Sequence, residues 1–188
     1  LRPSPRQQES MDLARQLAVE RFTPRAADLD RDAEFPTEDY QDLRNAGLLA
    51  LCVPEEHGGL GAGFETYCLV AEQLAQGNAS TALTFNMHCL TMLMMGPLMD
   101  GLELPSEVRN RHKESSARRY REVIEQGVFY GQPHGERLES GTADPIDAGG
   151  RRFGTTAKRV DGGYLVNGSK FFVSSAGVAD YFATPALL

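Results

Sequence analysis

The 188-residue chain carries 26 acidic and 19 basic residues, a formal net charge of −7, and so lacks the basic footprint that nonspecific nucleic-acid binding requires. Its 41% hydrophobic and 24% charged composition is that of an ordinary globular protein. The most apolar stretch, around Met87–Met99, is interrupted by His88, Thr91 and Gly96-Pro97, so no membrane span is expected.

Residues 4–126 read as a series of amphipathic helices. Ser4-Pro5 supplies a cap followed by proline in the first turn, after which Met11, Ala14 and Ala18 recur at helical spacing until Pro24 interrupts. A second helix is predicted to start after Phe35-Pro36-Thr37, with Glu38 and Asp39 at its positive end and Gly47 as its stop. A third places Tyr67, Val70, Ala71 and Leu74 on one face and ends near Gly77. A fourth, from about Ser80 to Met95, puts Leu83, Met87, Leu90 and Met94 on one stripe, which is expected to face the core. Residues 106–126 alternate in charge and predict a surface helix.

After Gly127 the period changes. Val128–Tyr130, Thr155–Val160, Tyr164–Val166, Phe171–Ser174 and Tyr181–Ala183 read as strands, with a Gly-, Asp- and Arg-rich loop over 134–153. The expected fold is α+β: an N-terminal helical bundle over 1–126, then an incomplete β-rich, barrel-like domain over 127–188. A sheet ending at Leu188 would leave an open edge, which predicts that these residues belong to a longer polypeptide. Leu1–Pro5 shows no leader pattern. Cys52, Cys68 and Cys89 form no Cys-x-x-Cys spacing; they predict buried packing roles, a cytoplasmic setting and no metal site.

The most informative run is Asp161-Gly-Gly-Tyr-Leu-Val-Asn-Gly-Ser-Lys-Phe-Phe-Val-Ser-Ser175. Asp161-Gly162-Gly163 and Asn167-Gly168 are turn signals that bracket a short strand, and Asn-Gly predicts a hairpin to Phe171–Ser174. The run resembles the middle-domain signature of the acyl-CoA dehydrogenase family. Residues 47–65, with Pro54-Glu55-Glu56 and the glycines 58, 59, 61 and 63, resemble the family's connector between its second and third helices, and Glu72-Gln73-Leu74-Ala75 resembles the segment that follows. For that connector a purely structural role is expected.

That resemblance implies flavin contacts at two stretches. The first is Phe129, Tyr130, Gly131 and Gln132, whose backbone would follow the pyrimidine edge of FAD. Here Gly131 replaces the usual hydroxyl residue, Gln132 the usual glutamate, and Arg137 stands near the usual serine. The second is Phe172, Val173 and Ser174, with the aromatic ring over one flavin face and the Ser174 hydroxyl at N5. Arg137 and Met94, in the methionine-rich helix, are the expected substrate contacts, whereas His88 is expected to be a satisfied or exposed histidine. The family's catalytic base lies in a C-terminal helical domain, so no residue of this sequence takes that role. The implied function is FAD-dependent oxidation of an acyl-CoA, with electron-transfer flavoprotein or a similar acceptor as partner and a homodimer or homotetramer as the assembly. The altered 131–137 segment leaves open a flavin-dependent monooxygenase or a non-catalytic binding relative.

Overall fold

The computed structural model describes residues 2–136 and 154–188. Helix α1 (Pro5–Leu17) starts at a capping box: the Ser4 hydroxyl accepts from the Gln7 N–H at 3.3 Å, and the Gln7 side chain accepts from the Ser4 N–H at 2.8 Å. Pro24 does not break the rod as expected. A single wide π-turn, Ala18–Phe22, leads directly into α2 (Thr23–Asp32), so that Pro24 falls in the first turn of α2. There its missing N–H costs no helical bond. The Thr23 hydroxyl caps the Ala18 carbonyl at 2.9 Å.

Helix α3 (Thr37–Asn45) ends before Gly47, whose φ of 75° turns the chain into two single-turn helices at Leu48–Ala50 and Glu55–His57. Helix α4 (Phe64–Ala75) and helix α5 (Ala79–Met95) pack against one another, and α4 also packs on α1. Their connection passes so close to the π-turn that a Cβ on Gly77 would lie 2.5 Å from the Ala18 carbonyl oxygen. The Asn78 side chain caps α5 by accepting from the Ser80 and Thr81 amides at 3.0 and 3.3 Å. A short α6 (Pro97–Asp100) and the 21-residue α7 (Ser106–Gln126) complete the helices, and Gly127 at φ 70° ends α7.

The core joins Phe22, Leu43, Leu48, Val70, Leu74, Phe85, Met92 and Tyr120. The inward face of α5 is not the expected stripe. Leu83 and Met94 are exposed, while Thr81, Phe85, His88, Cys89, Thr91 and Met92 are buried. Polar residues can face inward because their bonds are made inside: Thr91 to the Met87 carbonyl at 2.8 Å and His88 to the Leu49 carbonyl at 2.7 Å. The 22-residue stretch Ala79–Asp100 is long and apolar enough to cross a membrane by composition, contrary to the reading of Met87–Met99. Here it runs through the bundle with a buried face.

Among the described residues the β portion forms two two-stranded sheets and no barrel. Strand β1 (Tyr130–Gly131) pairs in parallel with β4 (Tyr181–Phe182), and β2 (Thr156–Val160) pairs antiparallel with β3 (Gly163–Asn167). The hairpin turn lies at Asp161-Gly162, where Gly162 has φ 78°. Asn167-Gly168 is not the predicted hairpin turn. Gly168 is required instead for close approach, since any Cβ there would collide with Thr155. Phe171–Ser174 is not a strand either: a lone bridge, Gly135 to Phe171, gives way to a bend with Phe172 at φ 53° and Ser175 at φ 69°.

Candidate cofactor edge and adjoining cleft

Val128, Phe129 and Tyr130 leave α7 and enter the helical core. The Phe129 ring lies 4.4 Å from Tyr40 and stacks 5.9 Å from Phe35. Its amide donates to the Asp180 carboxylate at 3.0 Å, and its carbonyl accepts from the Asp180 amide at 3.2 Å. The Tyr130 amide donates to His88 Nδ1 at 3.1 Å. With Nε2–H directed at the Leu49 carbonyl, both nitrogens of His88 are used and one neutral tautomer is fixed. Burial pushes the His88 pKa down to about 4, only partly offset by the Leu49 bond. His88 is therefore the expected satisfied histidine, and it also pins the start of β1.

These bonds redistribute the first predicted stretch. The Phe129 and Tyr130 amides are committed inward, whereas the Gln132 amide donates to no described residue. The Gln132 side chain turns into the bundle, donating to Thr91 Oγ1 at 2.8 Å and to Met94 Sδ at 3.7 Å. Gly131 is an obligate glycine by packing. A Cβ there would stand 2.8 Å from the Phe182 ring and 3.0 Å from the Ser174 carbonyl oxygen, closer than side chains tolerate. Thus 131 and 174, forty-three positions apart, meet face to face.

The second stretch is held by Glu136, which sequence reasoning passed over. Its buried carboxylate pairs with Lys170, takes the Thr155 hydroxyl, and accepts from the Thr155 and Gly154 amides at 3.2 and 2.5 Å. Burial raises its pKa, but the bonds from Lys170, Thr155 and Gly154 outweigh it and hold Glu136 at about 2. Beyond this clamp Phe172 is 88% exposed at positive φ, and the Ser174 amide folds back on the Phe172 carbonyl at 3.1 Å. A non-glycine residue at positive φ with its ring in solvent is a strained presentation. Val173 and Ser174 are half-buried beside it. Glu136 had one visible signal: it lies where the motif departs from the family pattern, four residues after Gln132.

Arg137 lies outside the described residues. Met94 is 42% exposed and borders a cleft of about 700 Å³ between the end of α5, α7 and the β1–β4 pair. Tyr130 and Tyr181, stacked at 5.5 Å, share that cleft. The geometry therefore brings Gly131, Gln132 and Ser174 to one edge, with Met94 and Tyr130 on the cleft beside it.

Residues 4–100 match the family described as Acyl-CoA dehydrogenase, N-terminal domain. The chain is 32% identical over 168 residues to a putative acyl-CoA dehydrogenase, YdbM, of Bacillus subtilis, covering 89% of this chain and 40% of the relative. It is 29% identical over 178 residues to benzylmalonyl-CoA dehydrogenase of Aromatoleum aromaticum, covering 94% and 42%. The chain thus spans about two fifths of the length of the curated relatives it matches. Among solved structures, KijD3 in complex with dTDP superposes with a TM-score of 0.76 at 26% identity, over 97% of this chain and 42% of that one. FMN-bound TdsC from Paenibacillus sp. A11-2 gives 0.70 at 25% identity, over 95% and 39%. By the match across its helical half, the chain belongs to the acyl-CoA dehydrogenase family.

Proposed function

We propose that these residues are part of a flavin-dependent acyl-CoA dehydrogenase that binds FAD along Gln132 and Phe172–Ser174. The observation that carries this reading is the meeting of Gly131 with the Ser174 backbone, which assembles the two stretches into one edge. The residues fit a flavin in three respects. The Gln132 amide has no described partner, the Phe172 ring is presented outward at positive φ, and Ser174 carries a hydroxyl at the half-buried margin. Main-chain donors of this kind do not depend on side-chain identity. The hydroxyl usual at position 131 is replaced in space by the Phe182 ring, so that contact is absent by packing.

A bound flavin would supply hydride-accepting chemistry, and the protein would contribute orientation and electrostatics. In that division of labour His88 and Asp180 hold β1, Glu136 and Lys170 anchor the bend, and the Ser174 hydroxyl donates toward developing negative charge. The further proposals are an acyl-CoA thioester as substrate, electron-transfer flavoprotein or a similar acceptor as redox partner, and a cytoplasmic homo-oligomer. The catalytic base is supplied from outside these residues.

The altered 131–136 segment and the likeness to TdsC, which binds FMN, favour one second reading, a flavin-dependent monooxygenase. The test uses the whole protein, desalted and examined for flavin absorbance, then mixed anaerobically with acyl-CoA. The dehydrogenase reading expects one flavin per chain that bleaches on mixing. Flavin that bleaches only with an external reductant and then consumes oxygen favours the monooxygenase. A colourless protein that takes up neither FAD nor FMN overturns both.

A further inference from the structure

Phe172–Ser174 is presented on a bend flanked by two strained residues, Phe172 itself at φ 53° and Ser175 at φ 69°. Phe172 is exposed, Val173 and Ser174 are half-buried, and Ser175 alone of these four is buried. The Ser175 hydroxyl is enclosed without a hydrogen-bond partner among the described residues, and the same holds for the hydroxyl of Tyr40. Enclosed hydroxyls left unanswered destabilise a fold and are rare. These two occur together. Burial pushes the Tyr40 phenol pKa up, and the neighbouring hydroxyls of Thr84 and, more weakly, Ser175 oppose that rise.

The donors and acceptors at this point fit one order. The Thr84 hydroxyl is directed to carbonyls of its own helix, at 3.0 Å from Ser80 and 3.1 Å from Thr81, so Thr84 Oγ1 is left to accept. Tyr40 can then donate to Thr84 and accept from Ser175, and a chain of that kind satisfies every hydroxyl in it. Tyr40 is a fixed post for such a chain. Its ring lies 4.4 Å from Phe129 and 5.2 Å from Phe35, on α3 next to the fully buried Asp39. The strained bend is the part that can shift.

We propose that Tyr40 is a positioning residue for the cofactor edge: when a flavin seats against Phe172–Ser174, the Ser175 hydroxyl closes onto Tyr40 and Tyr40 onto Thr84, which fixes Ser174 in place. This inference rests on the flavin reading above. Titration of the whole protein, stripped of flavin, with FAD and with FMN tests it, comparing the parent with Tyr40→Phe, Ser175→Ala and the two combined. Each single change is expected to weaken binding of whichever flavin the parent takes up by about three- to tenfold. The double variant should lose no more than either single, because both remove the same bond. Flavin-free Tyr40→Phe should melt no lower than the parent, since it loses only an unanswered hydroxyl. Both singles should also lower the two-electron potential of the bound flavin, and neither should add to the lowering caused by Ser174→Ala. Affinities equal to the parent's, losses that multiply in the double variant, an earlier melt of flavin-free Tyr40→Phe, or an unchanged potential would each overturn the proposal. The parent separates the two claims. Flavin uptake by the parent with any of those results sinks this inference alone, whereas a parent that takes up neither FAD nor FMN sinks the flavin reading and this inference with it.

Discussion

The helical region and the β region solve the burial problem in opposite ways. In the helices, polar residues such as Asp39, His88 and Thr91 are enclosed and answered. Asp39 is fully buried and accepts from Arg25 at 2.8 Å, Thr81 Oγ1 at 2.7 Å and Asn78 Nδ2 at 3.2 Å, tying α2, α3 and the cap of α5 together. In the β2–β3 hairpin the reverse holds. Every residue of β3 is exposed, with Tyr164, Leu165 and Val166 each at 55%. The hairpin exists through its turn and its ladder, and its apolar side chains form an open surface of the kind that marks an interaction site. The difference teaches that the helical region is stabilised by buried packing and the β2–β3 hairpin by local hydrogen bonding, so the two should respond differently to the same type of perturbation.

The largest expected effect comes from Asp39→Ala, which takes the buried acceptor from the Thr81 hydroxyl and the Asn78 amide at once and leaves Arg25 to Asp42 and Glu38. A loss of about 3–5 kcal/mol is expected in urea unfolding followed by helical circular dichroism. A loss below about 1 kcal/mol would show that the helical region does not depend on this network.

Next is the pH dependence set by His88. Its folded pKa of about 4 lies below the ordinary 6.5, so the unfolded chain binds the proton first as pH falls. Its contribution is complete above about pH 6.5 and is lost between there and pH 4, by up to about 3 kcal/mol. Comparing urea midpoints at pH 7 and pH 4.5 for the parent and for His88→Gln isolates it. The parent should lose more than the variant, and parallel losses would remove His88 as the cause.

How far these contrasts could be read from sequence depends on the element. Ser4-Pro5, Gly47 and the Tyr67, Val70 and Leu74 face were legible because caps, stops and period act locally. The inward face of α5 was not, since Thr81, His88 and Thr91 are drawn inside by partners 39 to 42 positions away, at Asp39, Leu49 and Gln132. Gly168 misled for a related reason: its lack of a side chain serves a contact with Thr155, not a turn. For the candidate edge, the two stretches were legible by resemblance, but their fastening through Glu136, Lys170 and Asp180 is tertiary and left no periodic signal.

A smaller and local effect is expected from Glu136→Gln. It removes the charge that answers Lys170 and weakens the bonds to Gly154 and Thr155. The cost is about 1–3 kcal/mol, confined to the β region. Hydrogen exchange should quicken at the Gly154 and Thr155 amides while helical amides keep their protection; uniform quickening would mean that the regions unfold as one. The smallest effect sharpens the comparison most simply. Leu165→Ser on the open face of β3 should shift stability by no more than about 0.5 kcal/mol, whereas Leu74→Ala in the core should cost about 2–5 kcal/mol. Similar costs at both positions would erase the distinction between covered and uncovered apolar residues.

The most direct test of the cofactor edge is the two-electron reduction potential of the bound flavin in the whole protein, parent against Ser174→Ala. Loss of one hydrogen bond to the charged, reduced ring, worth about 1.5–3 kcal/mol, should lower the potential by about 30–65 mV, with flavin still bound. An unchanged potential, with flavin retained in both proteins, would contradict the placement of Ser174 against the ring.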